Sequence, residues 1–242
     1  MKDAGPQNIK IVFLAMAIVL VIVAVSTVLE TNELVDDNRN VQSYYDSKCQ
    51  SFSTENANLS KGQIVFIGDS ITDLYVLEDH YADLPLECYN RGISGDSTTG
   101  VLNRIKISLY DIEPSIVVLM IGTNDINGGL REDVIIDRYT HIVDGIYANL
   151  PGVELYCMSI IPQNSQLEEY TSIRIDHTTP KIMSVNEKIC QLAEEKRATY
   201  LDLFTLVADD NNHLIRDYSD DGIHLNHAGL TVWTNLIKPY LY

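Results

Sequence analysis

Cysteine is scarce in this 242-residue chain: Cys49, Cys88, Cys157 and Cys190 are the full set, and no two stand in a Cys-x-x-Cys spacing. That argues against a zinc site. Cys157 lies in an apolar strand-like run and Cys190 in a helical one, so both read as small buried hydrophobes. A disulfide would suit an exported domain, but four cysteines allow three pairings and the spacing does not choose among them. Basic residues are also few, 17 Lys and Arg against 34 Asp and Glu, for a net charge of -17. A surface so acidic repels phosphates, which argues against a nucleic-acid partner. There is no internal repeat and no low-complexity tract. The length suits one α/β domain of about 180–210 residues plus extras.

Charge is missing altogether from Ile11–Leu29, an apolar run long enough for a single membrane span. The competing reading is a cleaved signal peptide, for which Ala24-Val25-Ser26 resembles a small-residue cleavage site, although a signal core spans only about 7–15 residues. Either way the segment addresses the chain to a membrane. The expected organisation is a cytoplasmic tail at 1–10, a signal anchor at 11–29, a linker and leading helix at 30–60, and a catalytic-size domain at 61–242. Lys2 and Lys10 precede the span, and Arg39 and Lys48 follow it, a slight bias toward an inside N-terminus. A domain displayed outside the cytoplasm is therefore expected, or a secreted one if the segment is cleaved. Val41–Phe52 reads as the leading helix, and Asn58-Leu59-Ser60 is a glycosylation sequon if the chain enters a eukaryotic secretory pathway.

From Lys61 on, strand-like and helix-like segments alternate. Strands are predicted at Gln63–Gly68, Glu87–Asn90, Ser115–Ile121, Val153–Ile160 and Ala198–Leu203, and helices at Asp73–Tyr81, Thr99–Leu109, Arg131–Leu150, Pro180–Lys196 and Ala228–Leu241. Ile182, Val185, Ile189, Leu192 and Ala193 line one face of the fourth helix, and Pro180 suits its first turn. Such alternation predicts a mostly parallel sheet with helices on both faces. In that architecture the strand-to-helix loops share one edge, where ligands bind.

Four loops at that edge carry polar residues. They are Gly68-Asp69-Ser70 after an apolar strand, Asn90-Arg91-Gly92-Ile93-Ser94-Gly95-Asp96-Ser97, Gly122-Thr123-Asn124-Asp125, and Asp220-Asp221-Gly222-Ile223-His224-Leu225-Asn226 before the last helix. Each is ordinary turn chemistry when read alone, and Asp69 and Ser70 are both good helix caps. Together they supply a hydroxyl, an imidazole, a carboxylate and hydrogen-bond donors, the parts of nucleophilic acyl chemistry. Gly95-Asp96-Ser97 makes Ser97 a rival to Ser70, but Ser70 directly follows an apolar strand and its glycine, whereas Ser97 lies in a glycine-rich loop. The Gly-x-Ser-x-Gly elbow is absent, because Thr72 occupies its last position. His80, His141, His177 and His213 lie outside the four loops and read as structural or surface residues. The loop Pro162–Thr179, with Tyr170 and His177, lies beyond the fourth strand and reads equally as a plain solvated loop or as one that shapes the substrate pocket.

Gly-Asp-Ser-Ile-Thr, Asn-Arg-Gly-Ile-Ser-Gly-Asp, Gly-Thr-Asn-Asp and Asp-Gly-Ile-His-Leu-Asn occur in this order between Lys61 and Tyr242. In this the chain resembles the SGNH hydrolases, or GDSL esterases and lipases, with Ile71 where the family usually has leucine. The resemblance implies a flavodoxin-like three-layer sandwich around a five-stranded sheet, preceded here by the apolar N-terminal segment, and ester hydrolysis with neither metal nor cofactor. It implies Ser70 as nucleophile, His224 as general base, Asp221 rather than Asp220 as its orienting carboxylate, and Ser70, Gly95 and Asn124 as the oxyanion hole. The expected substrate is a small ester, acetyl on a carbohydrate or cell-surface molecule. A lysophospholipase, an acyl thioesterase and a non-catalytic glycan-binding module are the alternatives.

Overall fold

Ile64–Gly68 forms the central strand β1, and all five of its residues are buried. Such a run, with β-branched Ile64 and Val65, can be satisfied only if both faces of its sheet are covered. A computed structural model of the chain describes residues 40–167 and 178–242. Contacts divide the chain into two units, Met1–Asp46 and Ser47–Tyr242. A helix covers 40–55 (α1), and its residues from Ser47 on belong to the second unit, which also holds the whole sheet. The apolar run at 11–29 lies outside the described residues; among those described, no helix is long and apolar enough to cross a membrane.

After β1 come α2 (Ser70–Asp73), α3 (Glu78–Tyr81), β2 (Cys88–Gly92), α4 (Thr98–Ile105), β3 (Ile116–Met120), α5 (Thr123–Asn127) and α6 (Glu132–Asn149). The chain ends with β4 (Glu154–Met158), α7 (Thr179–Lys196), β5 (Thr199–Leu201), α8 (Phe204–Val207) and α9 (His227–Ile237). The sheet has the order β2-β1-β3-β4-β5, and every strand pair is parallel. This is the flavodoxin-like winding, whose chain reversal lies between β1 and β3. Alternation along each strand feeds two cores. Val65, Ile67, Val117, Leu119 and Cys157 face Val101, Tyr139, Val143, Ile182 and Ile189 of α4, α6 and α7. Ile64, Phe66, Val118 and Met158 face Tyr75, Tyr81, Trp233 and Ile237 on the other side. Each large apolar side chain removed from water in this way contributes roughly 1.5–3 kcal/mol.

Several boundaries differ from expectation for visible reasons. The helix predicted at Asp73–Tyr81 is two short helices, α2 and α3, joined through Leu74–Leu77. There Tyr75 and Leu77 are buried while Leu74 and Val76 are exposed, an alternation of two that no helix can satisfy. β2 starts one residue later than predicted and runs on to Gly92, which pairs with Gly68. β5 is confined to Thr199–Leu201, and the Asp202 side chain that follows accepts the Thr205 N–H at 3.1 Å. The last helix stops at Ile237 and closes in a 3₁₀ turn that contains Pro239. Cys190 is only half-buried, unlike Cys157. The residues Tyr170 and His177 of the loop Pro162–Thr179 lie outside the described residues.

Candidate active site

β1, β2 and β3 end side by side, with Gly68 paired to Gly92 and to Met120. A side chain at Gly68 would strike the Met120 carbonyl and the Thr72 hydroxyl, its Cβ 2.2 and 2.3 Å away. The glycine therefore lets the chain pass close to β3 and deliver Ser70 to the sheet edge. Asp69 caps α2, its Oδ1 accepting the Ile71 N–H at 3.1 Å, and Ser70 is the first helical residue. Ser70 thus has its side chain available, while capping is left to Asp69.

The last loop brings an imidazole to that hydroxyl. His224 Nε2 lies 2.8 Å from Ser70 Oγ, and His224 Nδ1 lies 2.6 Å from Asp221 Oδ2. Asp221 Oδ1 accepts the backbone N–H groups of Ile223 and His224, each at 2.8 Å. Burial alone would push the Asp221 carboxyl up, but those N–H groups and the His224 ring hold it below its ordinary value. A carboxylate on Nδ1 fixes the proton there and leaves Nε2 as the acceptor for Ser70. The loop is itself fastened: Ser219 Oγ accepts the Gly222 N–H at 2.9 Å, Asn164 N–H donates to the Gly222 carbonyl at 2.8 Å, and Asn226 caps α9. Asp220 instead accepts from Asn226 Nδ2 at 3.3 Å.

Ser70, Gly95, Asn124 and His224 line one cleft of about 280 Å³, together with Leu74, Ser94, Thr123, Asn127 and Ile223. Asn124 donates one amide hydrogen to the Asp96 carbonyl at 2.8 Å, which orients the group and leaves its second hydrogen for another acceptor. Ser97 is otherwise employed: it caps α4 by accepting the Gly100 N–H at 3.3 Å. Every residue expected at the site is therefore in or beside this cleft, and Ser97 does not line it. Among the described residues, no three His, Cys, Asp or Glu side chains are grouped so as to hold a metal ion.

Beside the cleft residues lies a buried polar layer. Arg104, 2 % exposed, donates to Asp96 Oδ2 at 2.7 Å, to the carbonyls of Arg91 and Gly68 at 2.8 and 3.0 Å, and to Ser108 Oγ at 2.9 Å. Asp125 accepts the Thr98 N–H at 2.8 Å and its hydroxyl at 2.6 Å. Asp69 is completely buried, and its Oδ2 has no partner at hydrogen-bond distance. Its burial raises its pKa to about 7; the Ile71 N–H and the nearby Thr123 hydroxyl oppose the rise, and the charges of Asp96 and Asp125 add to it. The signal for Arg104 was an arginine on the buried stripe of α4, between Val101 and Ile105.

The sequence profile of the GDSL-like Lipase/Acylhydrolase family matches residues 66–232. The chain is 30% identical over 176 residues to platelet-activating factor acetylhydrolase IB subunit alpha1 of Bos taurus, covering 70% of each chain. A Streptococcus pneumoniae structure provisionally described as a platelet activating factor superposes with a TM-score of 0.79 at 26% identity, over 85% of this chain and 96% of that one. A GDSL-like lipase from Bacteroides thetaiotaomicron shares the fold with a TM-score of 0.69 at 24% identity, over 80% of this chain and 96% of that one. The five-stranded parallel sheet with its surrounding helices is the SGNH fold. With most of the unit from β1 to α9 inside the profile, the chain belongs to the GDSL-like lipase/acylhydrolase family and is an ester-hydrolysing enzyme.

Proposed function

We infer that the enzyme is a serine esterase for small acyl groups, acetyl first among them, acting through Ser70, His224 and Asp221. The observation that carries this reading is the single imidazole bridging a hydroxyl at 2.8 Å and a carboxylate at 2.6 Å at the rim of a cleft. Ser70 Oγ adds to the ester carbonyl carbon while its proton passes to His224 Nε2. Asp221 stabilises the imidazolium. The negative oxygen of the tetrahedral adduct takes donors from the Ser70 N–H, the Gly95 N–H and the Asn124 amide. Collapse expels the alcohol, which leaves with the proton from Nε2, and the acyl group stays on Ser70. Water then repeats the sequence and releases the acid.

A small acyl group suits a cleft of about 280 Å³, and the acetylhydrolase name of the relative favours acetyl. The alcohol half is read as carbohydrate or another cell-surface molecule, with the apolar run at 11–29 holding the domain outside the cytoplasm. Protease cleavage of the domain only after cell lysis would reverse that placement. The acyl reading is tested with p-nitrophenyl esters from acetyl to decanoyl. The expected kcat/KM is highest for acetyl and falls as the chain lengthens. A maximum at the long-chain end would favour a lysophospholipase. Absence of hydrolysis across the series would favour a binding module.

A further inference from the structure

Gly95 lies in the turn Ile93-Ser94-Gly95-Asp96, where the Asp96 N–H donates to the Ile93 carbonyl at 3.1 Å. Gly95, the third residue, has φ of 81°. This is a type II turn. Type I and type II turns differ by a flip of the peptide between the second and third residues. Here that peptide carries the Gly95 N–H, so the turn type decides whether this donor points into the cleft or away from it.

The two ends of the turn are tied to the scaffold. The Ile93 N–H donates to the Gly68 carbonyl at 3.1 Å, the Asp96 carbonyl holds Asn124, and the Asp96 carboxylate holds Arg104. The middle is held by Asp73, the last residue of α2. Its Oδ2 accepts both the Ser94 N–H at 2.9 Å and the Ser94 hydroxyl at 2.7 Å. Asp73 Oδ1 in turn receives Lys48 Nζ at 2.8 Å. The Asp73 side chain is only 6 % exposed, so its charge needs a partner. Lys48 is presented by α1, which is docked through Glu55 on Arg91 at 3.1 Å and through the Phe52 ring, 4.5 Å under the Arg91 guanidinium.

We propose that Lys48 and Asp73 are positioning residues: through Ser94 they lock the turn in the form that aims the Gly95 N–H at the developing oxyanion. The proposal rests on the reading of Gly95 as an oxyanion donor. It makes α1, an element that precedes the first strand, part of the apparatus that stabilises the transition state. Removing Lys48 takes away a cation 2.8 Å from a nearly buried carboxylate and draws that carboxylate from Ser94 toward water. Removing Asp73 frees the middle peptide to flip. Ground-state binding is little affected, because the donor engages fully only as charge develops.

The experiment measures p-nitrophenyl acetate hydrolysis by full-length Asp73→Ala, Lys48→Met and Lys48→Arg. Reactive sites are counted by end-point labelling of Ser70 with a fluorophosphonate, so that misfolded protein is excluded. Per labelled site, Asp73→Ala should lower kcat by about 10²-fold and Lys48→Met by about 10-fold, since a donor misplaced by ~1 Å forfeits up to that much. KM should stay within about twofold of wild type, and Lys48→Arg should restore most of the rate. Wild-type kcat per labelled site in both Asp73→Ala and Lys48→Met overturns the proposal, as does a loss confined to KM or one wholly explained by fewer labelled sites. If wild-type Ser70 takes no label, the catalytic reading itself fails and this proposal falls with it. Labelled Ser70 with unaltered kcat removes the proposal alone.

Discussion

Replacing Asp69 by Asn should reshape the pH dependence of stability. Between pH 3.8 and about 7 the folded protein holds an Asp69 proton that the unfolded chain has released. The folded state binds more protons across that window, so stability falls as pH rises through it. The span of about three pH units is worth roughly 4 kcal/mol, at about 1.36 kcal/mol per unit. Burial is the main cause, with the carboxylates of Asp96 and Asp125 adding to it. Arg104 on Asp96 and Arg138, 3.8 Å from Asp125, offset only those two neighbours. Asparagine copies the neutral acid: its oxygen can still accept the Ile71 N–H, and its NH₂ can donate to Thr123 Oγ1, which otherwise has no partner at hydrogen-bond distance. Urea unfolding of both proteins, followed by the fluorescence of the single, fully buried Trp233, gives the two stabilities from pH 4 to pH 8. Near pH 4 they should agree to within about 1 kcal/mol. By pH 8 the variant should be the more stable by up to about 4 kcal/mol. A difference that stays flat across the range would show that Asp69 is ionised throughout, and the reasoning from burial would be wrong.

Three further outcomes are expected. Ser70→Ala should abolish esterase activity and fluorophosphonate labelling, while Ser97→Ala, which touches only the cap of α4, should keep both; label appearing on Ser97 would reverse the assignment. Asn124→Ala should lower kcat by roughly 10²–10³-fold with a smaller change in KM, the loss expected of the oxyanion donor proposed above; steady-state kinetics with wild-type kcat would take Asn124 out of the mechanism. Asp221→Asn keeps the size of the group yet removes the charge and allows the wrong tautomer of His224, so kcat should fall by up to about 10⁴-fold; near-normal kcat would make Asp221 a turn residue only.

The alternation of apolar runs with amphipathic ones made the layered α/β architecture readable in advance, because the inner strands β1 and β3 are covered on both faces and buried throughout. The candidate site was legible for a related reason: Ser70 and Asn124 sit at the first turns after β1 and β3, beside Gly68 and Gly122, and Asp221 and His224 flank Gly222 in the short loop before α9. What stayed hidden were contacts made across the sheet edge. Asp73 looks like an unremarked helix residue, and only the packing of α2 beside β2 brings it to Ser94. Arg104 stands in a stripe that otherwise reads as core. The division of Asp73–Tyr81 into two helices was missed because the alternation at Leu74–Leu77 is too short to outweigh the helical residues around it. The N-terminal apolar run concerns residues on which the fold is silent.

The guanidinium of Arg104 serves the end of β1, the end of β2, the Asp96 carboxylate and the Ser108 hydroxyl at once. A lysine ammonium has three donors on one atom and cannot span partners spread along a planar fork. The position therefore admits no conservative replacement. In a map of mutational tolerance Arg104 would score as strictly as a residue that handles substrate, although it lines no part of the cleft. A search for active-site residues by intolerance alone would count it among the chemical groups, and only its burial would reveal that it is the foundation on which they stand.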